Sequence, residues 1–222
     1  MIGPEPTELR VLGCLIEKQR TTPDAYPLSL NALRLATNQA TGRDPVVDYG
    51  EDEIRDAIAH LVRRGWARLA SGPGCRATKY RHLLDEALGL DAGELSLLAV
   101  LMLRGAQTPG ELRQRSERLY AFASVEELEA VLERLGGRRL IVRYERRPGQ
   151  KEARWGLGEA FGGGGEGVPA PEPPPPAYVP GEPPSPRAPA DGADALAGRV
   201  DTLEAQVGEL RAVVERLRGL LD

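Results

Sequence analysis

Cysteine is almost missing from this chain of 222 residues: Cys14 and Cys75 stand alone, without the paired spacings of a disulfide framework or a zinc site. A reducing cytosol is the compartment that such usage fits. Long apolar runs are missing too. Nowhere do eighteen apolar residues follow one another, and the first residues lack a basic start leading into an apolar stretch. The sequence therefore supports neither a membrane span nor a signal peptide, and the expected location is the cytoplasm. Histidine is scarce: neither His60 nor His82 has a Cys, Ser or carboxylate at a spacing that implies a triad or a metal site. No catalytic residue, metal site or cofactor is read, and the expected protein is not an enzyme. Nor is the chain basic. Its net charge of −4 excludes a wholly basic nucleic-acid binder, yet residues 1–160 hold 24 Lys+Arg against 23 Asp+Glu, while residues 161–222 hold 5 against 10. A locally basic surface stays open.

What is present is one pattern written twice. An apolar helix-like run leads to a Thr-Pro step; a second helix-like run closes on Arg and Gly; two basic strands then meet at Pro-Gly. The first copy runs through Leu12 to Lys18, Thr22-Pro23, Ile54 to Gly65, and Trp66 to Tyr80 turning at Pro73-Gly74. The second runs through Leu98 to Arg104, Thr108-Pro109, Val125 to Gly137, and Leu140 to Trp155 turning at Pro148-Gly149. The Thr-Pro steps at 22 and 108 are 86 apart and the turns at 73 and 148 are 75 apart, so the first copy carries eleven extra residues between them. Three helices followed by a hairpin is the order of a winged helix. The expected fold is mainly α with small β-hairpins: winged-helix domains at residues 1–86 and 87–160, a disordered Pro/Gly linker at 161–192 and a coiled-coil helix at 193–222.

In the second copy the helix starts are marked chemically. Asp91, Thr108 and Ser124 each stand three residues before a Glu, and Pro109 falls at the favoured first helical position. Leu95, Leu98, Ala99 and Met102 recur at helical spacing on one helix, and Leu128, Val131, Leu132 and Leu135 on another. The first copy repeats this with Leu9, Leu12, Leu15 and Ile16, then Leu30, Leu33 and Ala36, then Ile54, Ala57, Ile58 and Leu61. Its insertion, containing Asn38-Gln39, Arg43-Asp44-Pro45 and Val46-Val47, reads as a loop with room for one short strand. Cys14, interleaved with apolar positions, is expected to be a small buried hydrophobe.

Residues 162–192 collapse into Gly and Pro, the composition of an extended spacer. Beyond it Leu196, Val200, Leu203, Val207, Leu210, Val214, Leu217 and Leu221 alternate spacings of 4 and 3. Val in the first core position and Leu in the second favour a parallel two-stranded coiled coil, hence a homodimer. A lone amphipathic helix lying on the body or on a partner is the alternative, and Gly198, Gly208 and Gly219 weaken the helix by about 1 kcal/mol each.

The hairpins are the candidate functional surface. From Arg63 to Arg81 there are six basic residues and no acidic one; from Arg138 to Arg154 there are seven against Glu145 and Glu152. Arg68, Arg76, Lys79 and Arg81 in the first wing, and Arg143, Arg146, Arg147, Lys151 and Arg154 in the second, could lie along the phosphates of double-stranded DNA. A solvated hairpin whose charges prevent edge-to-edge pairing is the alternative. Against DNA stand the third helices, whose starts read Glu51-Asp52-Glu53 and Glu126-Glu127 where a helix-turn-helix would meet the groove. Part of that acidity caps the helix and complements its dipole. The second helix of copy two offers Arg113, Arg115 and Arg118.

Longer motifs carry a resemblance. Gly13-Cys14-Leu15-Ile16-Glu17-Lys18-Gln19, Thr21-Thr22-Pro23-Asp24-Ala25-Tyr26-Pro27-Leu28-Ser29-Leu30-Asn31, Asn38-Gln39, Arg43-Asp44-Pro45-Val46 and Leu103-Arg104-Gly105-Ala106-Gln107-Thr108-Pro109-Gly110-Glu111-Leu112-Arg113 are similar to the bacterial YceH family over roughly residues 5–155. The resemblance implies tandem winged-helix domains, often with a C-terminal coiled coil, in a family of uncharacterised function, and supplies no catalytic residue. Within these motifs Lys18, Gln19, Asn31, Asn38, Gln39 and Arg43, and Arg104, Gln107, Glu111 and Arg113, place polar groups at two corresponding corners. They are expected either to anchor loops internally or to join the domains or hold a partner. The function expected is non-catalytic: nucleic-acid binding through the wings, or else protein interaction of the kind that bridges subunits in chromosome-organising complexes.

Overall fold

The computed structural model describes residues 3–70, 78–146 and 152–163. Helix α1 (Pro6–Thr21) starts with proline at its first position and fully buries Val11, Leu12, Leu15 and Ile16. A single turn of 3-10 helix at Pro23–Ala25 leads to strand β1 (Leu28–Ser29) and helix α2 (Leu30–Thr37), which Ser29 caps by accepting the Ala32 N–H at 3.3 Å. Helix α3 (Glu51–Arg63) turns Ile54, Ala57, Ile58 and Leu61 into the core. Strands β2 (Ala67–Leu69) and β3 (Lys79–His82) follow, then the short helix α4 (Leu84–Leu88). The second half comprises α5 (Ala92–Arg104), α6 (Pro109–Ser116), α7 (Val125–Gly137), β4 (Ile141–Tyr144) and β5 (Arg154–Leu157). The caps expected of Asp91, Thr108 and Ser124 are all made, each oxygen accepting the N–H of the Glu three residues on.

The first sheet is antiparallel with order β1-β3-β2, and the second pairs β4 with β5. Where the first half has β1, the second has one bridge between Gln107 and Trp155. No strand forms at Val46-Val47. The short strand of the first half lies earlier, at Leu28–Ser29, where the apolar Leu28 is buried and pairs with Tyr80.

A second correction concerns the close of the third helices. Gly65 has φ +75 and its N–H returns to Val62, while Trp66 N–H returns to Leu61. In the second half the same bonds run from Arg139 to Gly136 and from Leu140 to Leu135, and Arg139 has φ +56. The counterpart of Gly65 is therefore Arg139, not Gly137, which stays within α7.

Helix α5 is buried on every side from Leu97 to Leu103, although its spacing predicted a single apolar face. The reason is α1, which packs along the side that α6 and α7 leave open, so that the apolar residues of both halves form one core. Gly13 permits the approach: a Cβ there would sit 3.0 Å from the Leu103 side chain and 3.1 Å from the Met102 Cβ. Among the described residues no helix is long and apolar enough to cross a membrane. The expected linker and the heptad residues Leu196 to Leu221 lie outside the described residues.

Candidate nucleic-acid interface

Strand alternation puts Ala67 in the core and leaves Arg68 exposed on β2. Arg68 stands directly opposite Arg81 on β3. Like charges so placed repel, and Arg81 is drawn aside, its Nη2 reaching Glu86 Oε1 at 2.5 Å. Lys79 is exposed at the start of β3, and Leu69, on the Ala67 side of β2 by the same alternation, is 56 % exposed. In the second hairpin Arg143 is exposed on β4 opposite Trp155, with its guanidinium carbon 5.9 Å from the indole centroid. Arg146 is exposed just beyond β4. Arg154 turns the other way, donating to the Ala106 carbonyl at 2.9 Å and to Glu111 at 3.1 Å. The hairpins thus present Arg68, Lys79, Arg143 and Arg146 outward, while Arg81 and Arg154 serve internal contacts. Arg76, Arg147 and Lys151 lie outside the described residues.

The acids that open α3 and α7 are partly consumed locally. Glu53 accepts the Gly50 N–H at 2.7 Å, and Glu51 and Asp52 both receive Arg55. Glu127 accepts the Tyr120 hydroxyl at 2.9 Å and the Ala123 N–H at 2.7 Å. The carboxyl of Glu126 is held below its ordinary range, first by a hydrogen bond from Ser124. Asp56 and Glu129 remain exposed along the same helices.

The two polar corners are mostly internal anchors. Arg43, 6 % exposed, forks onto Glu17 at 2.6 and 3.1 Å and donates to the Ala36 carbonyl, which ties the insertion to α1 and α2. Asn38 brackets Tyr49, donating to its carbonyl at 2.9 Å and accepting its N–H at 3.0 Å. Gln107 closes the α5 end by donating to the Arg104 and Ala106 carbonyls. One bond at these corners does join the halves, from the Asp44 N–H to the Leu103 carbonyl at 2.9 Å.

Sequence spacing gave no sign of a buried polar group beneath the first sheet. His82 is fully buried, its Nε2 2.7 Å from Gln19 Oε1 and its Nδ1 3.4 Å from Asp85 Oδ1. A neutral ring that donates to Gln19 turns a bare Nδ1 toward the carboxylate. Burial pushes its pKa down to about 4, against the pull of Asp85. The Tyr26 hydroxyl, which accepts the His82 N–H at 2.8 Å, is raised to about 12, also by burial. Cys14 is fully buried as expected, and burial raises its thiol pKa away from reactivity. Among the described residues no three of His, Cys, Asp and Glu gather where an ion could be held.

A family model described as "Protein of unknown function, DUF480" matches residues 5–150. The chain belongs to the DUF480 family. A "UPF0502 protein" of Citrobacter koseri is 41 % identical over 97 % of this chain and 94 % of its own length. "UPF0502 protein YceH" from Salmonella paratyphi B and from Salmonella newport are each 40 % identical over the same shares. The resemblance to YceH that the motifs carry is therefore borne out. The DUF480 match spans the first half and the second as far as β4, ending before β5, and none of these relatives bears an enzyme's name.

Proposed function

We propose that this chain is a non-catalytic tandem winged-helix protein that contacts the backbone of double-stranded DNA through its two hairpins, in the manner of a regulator. The order of helices and strands and the β1-β3-β2 sheet support the winged-helix assignment. The observation that carries the DNA reading is the exposed cationic row on both hairpins, Arg68 and Lys79 on the first and Arg143 and Arg146 on the second. Backbone contact needs no base-reading helix, which suits α3 and α7 with their acidic starts.

A protein partner is the second reading, favoured by Asp56 and Glu129 on the faces where a groove-reading helix would meet phosphates. In either case the heptad seam from Leu196 to Leu221 would pair two copies, and a sedimentation mass that stays monomeric at high micromolar concentration would contradict that pairing. The DNA reading is tested by fluorescence anisotropy with a random-sequence duplex across a salt series. Changing Arg68 and Arg143 to Gln is expected to weaken binding and to lower the salt slope by about 1 per residue. No binding at low salt would leave the protein partner as the favoured function.

A further inference from the structure

We propose that the groove between α6 and α7 is a docking face for a second copy of this chain, one that pairs two bodies without calling on the heptad seam. The groove has a volume of about 410 Å3. Its floor is apolar, made by Phe122 and Leu128, and Val125, 42 % exposed, stands beside them. Arg113 and Gln114 line it from α6, and Glu117 from the residue that closes that helix.

The polar groups on this wall are unspent. Close by, Arg134 is answered by Asp91 at 2.7 Å, Arg154 by Glu111 at 3.1 Å, and Glu127 by the Tyr120 hydroxyl at 2.9 Å. Among the described residues the side chains of Arg113, Gln114 and Glu117 make no hydrogen bond, and neither charge has an ion pair. The field of Arg113 reaches Glu126, but the two are not within ion-pair distance.

The order of the charges names the occupant. Arg113 and Glu117 are four residues apart and therefore neighbours along one face. A two-fold axis sets a face against its own image, so that residue i of one copy meets residue j of the other and j meets i. Two such faces crossing antiparallel place Arg113 of each copy opposite Glu117 of the other, and one sequence pattern yields two opposite-charge pairs. The contact also covers Val125, Phe122 and Leu128, giving an apolar centre within a polar rim. DNA fits this face poorly, because Glu117 and the exposed Glu126 would meet its phosphates.

The first half supplies the contrast. Counted from the caps Ser29 and Thr108, Arg34 stands where Arg113 does, but Asn38 stands where Glu117 does. Asn38 is spent internally on Asp48 and Tyr49. The first half thus has the cation without its acidic mate, and of the two faces only the second is self-complementary.

Sedimentation equilibrium of the full chain tests the proposal, in a background carrying Leu203→Lys and Leu210→Lys, which breaks the heptad pattern as a second source of pairing. That background is expected to dimerise. Arg113→Glu sets acid against acid twice and is expected to weaken the dimer at least about tenfold. Adding Glu117→Arg to Arg113→Glu reverses both pairs and should restore association to within about threefold. Both side chains are exposed, so these changes leave the core intact. A background that stays monomeric at high micromolar concentration, an Arg113→Glu chain that pairs as its parent does, or a double reversal as weak as the single one would each overturn the proposal. So would an Arg113→Glu chain with unaltered mass but weaker binding to a random-sequence duplex, which would assign Arg113 to a DNA surface instead.

Discussion

His82 has no exposed surface, and its ring lies among Gln19, Tyr26 and Asp85, with Arg20, Arg81 and Glu86 setting the surrounding field. A folded pKa near 4 against an ordinary 6.5 means that the unfolded chain takes up a proton at a pH where the folded one does not. The stability contributed by the neutral ring is complete above pH 6.5 and is lost as pH falls toward 4. Over that window the loss is on the order of 2 to 3 kcal/mol. Urea denaturation at pH 7 and pH 5 should show it, and His82→Asn, though less stable at pH 7, should lack that component of the fall. Arg139 supplies a second residue-scale expectation. It holds φ +56, a conformation that costs a non-glycine residue about 1 kcal/mol, and its first-half counterpart is Gly65. Arg139→Gly should therefore raise the melting temperature, and an unchanged or lower value would show that the Arg139 side chain compensates.

At the scale of elements, the sequence made α5 and α7 legible because two independent signals coincide on each, a capping oxygen followed by Glu at the third position and apolar residues at helical spacing. Helix α6 shows the cap, while α1, α2 and α3 show the spacing without that Glu-paired cap. The same logic fails where structure arises from contact instead of period. Strand β1 spans two residues, too few for any alternation, and exists because Leu28 pairs with Tyr80. Helix α4 is five residues long and carries no capping hydrogen bond from its preceding side chain. The all-round burial of α5 was hidden because periodicity reports one face, whereas α1 covers the other from eighty residues away. Gly13 is the residue on which that packing turns. Gly13→Val should cost about 1 to 3 kcal/mol by pressing on Met102 and Leu103, measured by chemical denaturation. Loss of stability no greater than at an exposed helical site would contradict the close α1–α5 contact.

At the scale of the whole molecule, charge was readable as a total and misleading as a map. The hairpins are basic in sequence, but only placement separates Arg68 and Arg143, which face outward, from Arg81 and Arg154, which are tied to Glu86 and Glu111. The polar corners divide in the same way. Arg43 and Asn38 anchor the insertion, while Arg104, from the same motifs, makes no ion pair among the described residues and lies in the field of Glu17 and Asp44. Because Glu111 is shared by helix capping and by Arg154, the corner of the second half couples the hairpin base to α6, a link that no spacing rule describes.

The central claim is that the hairpins, and not the third helices, meet DNA. Chemical-shift mapping of the arginine side-chain N–H signals and the backbone amides, with a random-sequence duplex added at low salt, tests it most directly. The account predicts that the Nε–H signals of Arg68 and Arg143 move, while the amides of Glu51 to Glu53 and Val125 to Glu127 stay in place. Arginine signals that do not move, or shifts centred on the starts of α3 and α7, would contradict it.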